Sequence, residues 1–169
     1  AMQKGVLWWA ATHRRHHAYA DTERDPHSPH HHGFGYSHCG WLFDPANQDI
    51  EESRVADWAA YRERRWLQQW RALPGLAFGA GLGLVFGPVG FVWGFAVASV
   101  PLWHALLATG SFAHRYGGTR PFATADDSRN SRLLAAALLG DGWHNNHHRW
   151  PTSARQGRGW REPDPVYWS

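Results

Sequence analysis

Residues 72–113 read ALPGLAFGAGLGLVFGPVGFVWGFAVASVPLWHALLATGSFA, a 42-residue stretch without a single Lys, Arg, Asp or Glu. A helix needs about 20 consecutive apolar residues to cross a bilayer, so the window has the length of two spans joined by a tight turn at Gly87-Pro88. Its glycines, among them Gly75, Gly79, Gly81 and Gly83, suit helices packed in lipid better than soluble ones. A helical hairpin inside a soluble protein would ordinarily keep a polar face, and none is visible here. Nine basic residues precede the window and eight follow it, which predicts both flanks on the cytoplasmic side. The expected fold class is all-α and integral to the membrane, with one transmembrane helical hairpin over residues 73–110. Residues 1–72 and 111–169 are expected to form a cytosolic helical cap.

Each flank carries the same histidine pattern. His13, His16 and His17 stand in HRRHH, and His144, His147 and His148 in WHNNHH; both read H-x-x-H-H. Residues three and four apart share a helix face, so each triplet can present three imidazoles. Imidazole is a good ligand for iron, copper, zinc and nickel, and two facing triplets suffice for a pair of metals. Arg14 follows His13 and Asn145 follows His144, so the H-E-x-x-H base of helical zinc proteases is absent. Cys39 is the only cysteine, which excludes an intrachain disulfide, Cys-rich zinc sites and a Cys-ligated iron–sulfur cluster. A nitrogen-rich site suited to a redox metal remains.

The sequence carries a formal charge of +3, a pI near 9.4 and 12 tryptophans. Basic residues beside aromatics are compatible with nucleic acid or with a membrane surface; the uncharged window decides for the membrane and against nucleic acid. Residues 4–20 are predicted helical, with Trp8 and Trp9 near the start. Asp21 to Asn47 is rich in Pro, Gly and His and predicts an ordered loop. Ile50 to Leu73 predicts one amphipathic helix. Val55, Trp58, Ala59, Trp66 and Trp70 would face apolar surroundings there, and Arg62, Arg64, Arg65 and Arg71 would face headgroups or water; such a helix suits the membrane interface and equally well packing against the cap. Thr124 to Ser128 predicts a polar loop, and Ser131 to Leu139 leads into the second triplet.

The stretches Gln3-Lys4-Gly5, Trp8-Trp9, HRRHH, DTERDPHSP, SHCGW, AHRYGG, DDSRNS, GDGWHNNHH and SARQG, in this order, resemble the integral-membrane fatty acid desaturases. The branch the chain most resembles is that of the bacterial acyl-CoA desaturases of the stearoyl-CoA, delta-9 type. The resemblance implies a four-helix membrane bundle carrying a cytosolic cap, with two iron ions held by histidines where the two meet. It also implies dioxygen, an external ferredoxin-type or cytochrome b-type electron donor, and a fatty acyl thioester or lipid as substrate. The bacterial inner membrane follows as location, with the histidine boxes facing the cytoplasm. In the affinity order zinc stands above ferrous iron, so zinc is an alternative occupant in a recombinant sample.

By the same resemblance, one iron takes His16, His17, His114, His144 and His148, and the other takes His13 and His147. His27, His38, Asp21, Asp25 and Asp141 are expected behind the ligands, orienting them. Trp8, Trp9, Trp41 and Trp143 are candidates for an acyl tunnel, with simple packing as the alternative. His30-His31-His32 is expected as a solvated run, and His104 as a buried residue with a hydrogen-bond partner. Two departures stand out. The family's earlier histidine box would precede Gln3, and Gly110 replaces an asparagine four residues before His114. The expectation is therefore a C-terminal portion of a desaturase that does not desaturate alone. Ala11-Thr12 replaces a charged pair near coenzyme A in animal relatives, leaving coenzyme A, carrier protein and intact lipid open as carriers. A histidine-box membrane hydroxylase and a non-catalytic membrane metal-binding fragment are the competing functions.

Overall fold

A computed structural model describes residues 4–169, and helices are its only extended regular elements. Gln3 of the Gln-Lys-Gly stretch lies outside the described residues. The helices are α1 (Val6–Tyr19), α2 (Phe34–His38), α3 (Ala56–Ala59), α4 (Arg62–Gln69), α5 (Leu73–Val89), a π-helical stretch Gly90–Val97, α6 (Ala98–Ser111), α7 (Arg132–Ala137), α8 (His144–Arg149) and α9 (Pro165–Trp168). Two compact units are present among the described residues, one built from residues 4–15 and 48–102, the other from 16–47 and 103–169.

In the first unit, the orphan N–H groups that begin α1 are satisfied by a side chain rather than by solvent. Gln68 Oε1 accepts from the N–H of Leu7 at 3.1 Å and of Trp8 at 3.2 Å. Leu7, Trp8, Ala11, Val55 and Ala59 form the small apolar core behind this contact. Arg14 clasps Asp57 with two bonds of 2.6 and 2.8 Å. The single helix expected over 50–73 is instead a 3₁₀ turn at Glu52–Arg54 followed by α3 and α4. Tyr61 is extended at φ −91°, ψ 123°, which breaks the helix and turns α4 so that Val55 and Ala59 are buried while Trp66 and Trp70 are exposed.

Leu73–Ser111 is a helical run of 39 residues, long and apolar enough to cross a membrane. Only 6% of its most apolar stretch is buried, whereas the core helix of a soluble protein hides most of its surface. Gly87 interrupts the run at φ 67°, ψ −166°, a region that side chains beyond glycine rarely enter. Pro88 then restarts the helix at a position where its missing N–H costs nothing. The π-helical stretch ends at Val97, four residues before Pro101, whose ring would clash with that carbonyl in a regular α-helix. Residues on either side of Gly87 touch: the Phe78 and Phe95 rings lie 6.3 Å apart, and a Cβ on Gly79 would stand 2.8 Å from Phe95. A straight helix would hold residues 79 and 95 about 24 Å apart.

In the second unit, Trp41, Leu42, Ala113, Leu134, Ala135, Leu138 and Trp143 are buried. The segment 21–47, expected as a loop, carries α2 and two 3₁₀ turns. Ser131 caps α7 by accepting from the Leu134 N–H at 3.3 Å, and its own N–H reaches Gly142 O at 2.8 Å. Gly142 passes so close to α7 that a Cβ there would lie 2.0 Å from the Ala135 nitrogen. That close approach sets the start of α8.

Candidate metal centre

Two short polar segments hold α8 in place. Asn130 Oδ1 accepts from the N–H of Asn145 at 2.9 Å and of Asn146 at 3.1 Å, filling the role of an N-cap from outside the helix. Asn145 and Asn146, the two spacers of the second triplet, are fully buried. Asn145 accepts from the N–H of Phe122 at 2.9 Å and donates to Phe122 O, Thr124 and Ser128. Asn146 donates to Gln156 O and to Glu162, each at 2.8 Å. Pinned this way, α8 turns His144 and His148 inward.

There they meet His16, from the last turn of α1, and His114, just past α6. Nε2 of His114 and His144 lie 3.0 Å apart, those of His144 and His148 3.2 Å, and those of His16 and His148 3.4 Å. The four ligand nitrogens all lie within 4.8 Å of one another. Their side chains are sealed from solvent: 2% exposed for His16, 0% for His114 and 1% for His148, with His144 5% exposed overall. A metal bound to nitrogens at about 2.1 Å sets neighbouring ligand atoms about 3.0–3.4 Å apart, which is the spacing observed.

Three of the rings are fixed from behind. Nδ1 of His16 faces both oxygens of Asp25 at 3.0 Å, that of His114 faces Asp21 Oδ2 at 2.8 Å, and that of His148 faces Asp126 Oδ2 at 3.0 Å. An Nδ1–H donated to a carboxylate leaves the Nε2 lone pair free and aimed inward, the arrangement that metal-ligating histidines use. The carboxylates are anchored in turn. Asp25 accepts from the N–H of Asp21 and His27, Asp21 from that of Asp127, and Asp126 from that of Ser128. Burial pushes Asp25, Asp21 and Asp126 upward, but the hydrogen bonds and charges of His16, His114 and His148 respectively more than reverse it. All three carboxyls end below their ordinary value.

The imidazoles shift the other way. Burial, followed by the charges of His148 and His114, holds His144 well below its ordinary value. Burial lowers His148 to about 3 against the opposing pull of Asp126, and burial with His16 and His114 nearby lowers His147 to about 4. Neutral rings are what a metal requires, so the donor set fits a nitrogen-ligated cation.

His17 was expected in the same group, but its Nε2 lies 2.9 Å from His147 Nε2 in a second, half-buried pair. Adjacent helix residues point about 100° apart, so His16 and His17 address different places. His13, four residues before His17 on α1, is exposed and belongs to the other compact unit. Asp141, expected behind a ligand, turns away to Gln156; burial raises its pKa, with the Gln156 bond pulling against it. Asp126, read in the sequence only as part of a polar loop, takes that place.

His27 stacks on His16 with ring centres 4.4 Å apart and leans on Trp41 at 4.6 Å. Gly110 leaves room for it, since a Cβ there would lie 3.0 Å from the His27 ring. His38 bonds Ser111 and His104, each at 2.9 Å, away from the cluster; burial, then the charge of His104, lowers its pKa. His104 thus has its partner but is exposed rather than buried. The run His30-His31-His32 is exposed, yet each ring reaches a backbone carbonyl, of His114, Asp21 and Asp25 respectively. These rings staple the loop that carries the aspartates. Among the tryptophans, Trp8, Trp41 and Trp143 are buried and Trp9 is half-buried. Trp143 donates to Pro163 O at 2.8 Å.

The chain is similar to known proteins over nearly its whole length. Residues 1–157 match the fatty acid desaturase family model. Over 99% of its length the chain is 37% identical to an icosanoyl-CoA 5-desaturase of Limnanthes douglasii, covering 48% of that protein. It is 36% identical to a chloroplastic palmitoyl-monogalactosyldiacylglycerol delta-7 desaturase of Arabidopsis thaliana, covering 46%. It is 35% identical to an sn-1 stearoyl-lipid 9-desaturase of Anabaena variabilis, covering 61%. The chain spans about half the length of the curated relatives it matches. With the motif order, the buried histidine cluster and a match over nearly its whole length, the chain belongs to the fatty acid desaturase family.

Proposed function

We propose that the whole protein introduces a cis double bond into a saturated fatty acyl chain. The overall reaction takes dioxygen, two electrons and two protons, removes two hydrogens from adjacent carbons, and releases two waters. Iron held by this centre would supply the oxidising power that no side-chain acid or base has. His16, His114, His144 and His148 would hold one iron; His17 and His147 would contribute to a second. Asp25, Asp21 and Asp126 keep three of the ligand rings in the inward-facing tautomer. The sealed surroundings keep bulk water from the oxidising site. The single observation that carries the reading is the set of four buried imidazoles with their nitrogens aimed together and three carboxylates behind them.

For Leu73–Ser111 we propose a membrane-embedded hairpin that doubles back at Gly87. A straight 39-residue helix would be about 58 Å long, nearly twice the bilayer core of about 30 Å. The contacts between Phe78, Gly79 and Phe95 support the fold-back. The basic flanks favour both ends, and the histidine boxes with them, on the cytoplasmic side of a bacterial inner membrane, where a ferredoxin-type or cytochrome b-type donor would deliver electrons. Stearoyl-CoA with a delta-9 product is the first substrate to assay. The relatives' names span positions 5, 7 and 9 and both CoA and lipid carriers, so the assay includes each carrier. The test is membranes bearing the whole protein, supplied with iron, a reductant chain and saturated acyl substrates, with products resolved by gas chromatography. Unsaturated product that disappears in His144→Ala supports the reading; a hydroxylated product alone would replace it with a hydroxylase.

A further inference from the structure

The segment leading into the apolar run carries a surface that the histidine chemistry does not use. Arg62, Trp66 and Trp70 follow one another at four-residue spacing and form one stripe. Trp66 is 48% and Trp70 52% exposed, and Arg62, Arg65 and Arg71 are exposed beside them, Arg65 with its Nε donating back to Ala59 O. The opposite side of α4 is engaged. Gln68 caps α1, and the Arg64 guanidinium lies over Tyr61 at 4.4 Å and over Trp58 at 4.5 Å. The helix is thereby held with its indoles outward.

Charge collects along the same segment. Residues 62–71 hold four arginines and one glutamate, 4 − 1 = +3, and among the described residues Arg62, Arg65 and Arg71 form no ion pair with a carboxylate. Lys4 adds to it: burial, then the charge of Arg71, holds its ammonium below the usual value. Exposed Leu73 continues the surface directly into the apolar run. A layer that accepts indole rings and guanidinium groups side by side is the headgroup zone of a bilayer, where indoles sit at the interface and arginines meet phosphate.

The geometry points to an acidic-phospholipid docking face made by Arg62, Arg65, Trp66, Trp70 and Arg71. It rests on the membrane reading of the run that follows. Net positive charge selects acidic over zwitterionic lipid, and the two tryptophans set the depth. In the test, the full 169-residue chain in dodecyl maltoside is equilibrated with equal phosphatidylglycerol and phosphatidylcholine. Lipid retained after gel filtration is then quantified. The wild type retains phosphatidylglycerol with an enrichment of at least about threefold, and 0.5 M NaCl lowers it. The variant Arg62→Gln/Arg65→Gln/Arg71→Gln returns the ratio to the input, while Arg62→Lys/Arg65→Lys/Arg71→Lys keeps the enrichment. Circular dichroism checks that both variants retain the wild-type helix content. No enrichment in the wild type, or an unchanged one in the Gln variant, overturns the proposal; so does selective capture of an acidic protein without lipid selectivity. Release of the chain from membranes by detergent-free buffer would sink the membrane reading instead, and would be seen before any lipid is counted.

Discussion

The four-histidine cluster and the His17–His147 pair use the same side chain for different degrees of commitment. In the cluster, three of four rings have a carboxylate behind them and the side chains are sealed from water. In the pair, two nitrogens face each other at 2.9 Å and the residues are only half-buried. Ligand count and the groups behind the ligands set metal affinity together. The cluster should therefore bind tightly as it stands, while the pair should need further ligands.

Breaking the cluster itself should give the largest effect. In the whole protein, His114→Ala should lower desaturation by about a thousandfold or more, because the metal it helps to hold carries the chemistry; product assay against wild type checks this. A smaller effect separates rings that have a carboxylate from carboxylates that face elsewhere. Asp25→Asn and Asp126→Asn should each weaken metal affinity by about 10- to 100-fold, measured by competition with a chelator. Asp141→Asn should leave affinity within about twofold, since Asp141 bonds Gln156 and not a ligand.

Those residues also mark what could and could not be read in advance. The repeated H-x-x-H-H spacing and the all-helical class were legible because periodicity and ligand chemistry are local properties, whereas His114, a single histidine beyond the apolar run, was pointed to only by the resemblance to the desaturases. The division of His16 from His17 was hidden: a helix face is broad, and only tertiary packing decides which of two rings 100° apart meets a distant partner. Asp126 looked like an ordinary loop acid, and no spacing tied it to His148. Asn145 and Asn146 looked like spacers, although their side chains anchor α8 through contacts with residues up to 23 positions away. The break at Tyr61 was likewise invisible, since apolar and basic residues on both sides continue a helical pattern.

The anchoring of α8 yields a third test. Asn146→Ala should destabilise the chain by about 1–3 kcal/mol, because it removes the three hydrogen bonds that the fully buried amide makes with Asn130, Gln156 O and Glu162. Thermal unfolding in detergent would show it, with metal affinity falling as a consequence.

Acid tests the neutral rings directly. Folded His147 and His148 protonate only near about 4 and about 3, whereas the unfolded chain takes up those protons from about pH 6.5 downward. Stability should thus be level above that value and fall progressively as pH drops from 6.5 towards 4. Between pH 7.5 and 5 the melting temperature should decrease by on the order of 10 °C. Asp21, Asp25 and Asp126, with lowered folded values, add their loss only below about pH 4. A melting temperature that rises on acidification would contradict neutral, buried imidazoles.

The most direct test is metal stoichiometry in the purified 169-residue chain, titrated with ferrous iron or zinc under a competing chelator. One tight equivalent should bind, vanish in His144→Ala and persist in His17→Ala, with any second equivalent weak. A tight equivalent that survives His144→Ala, or is lost in His17→Ala alone, would contradict a metal centre built on His16, His114, His144 and His148.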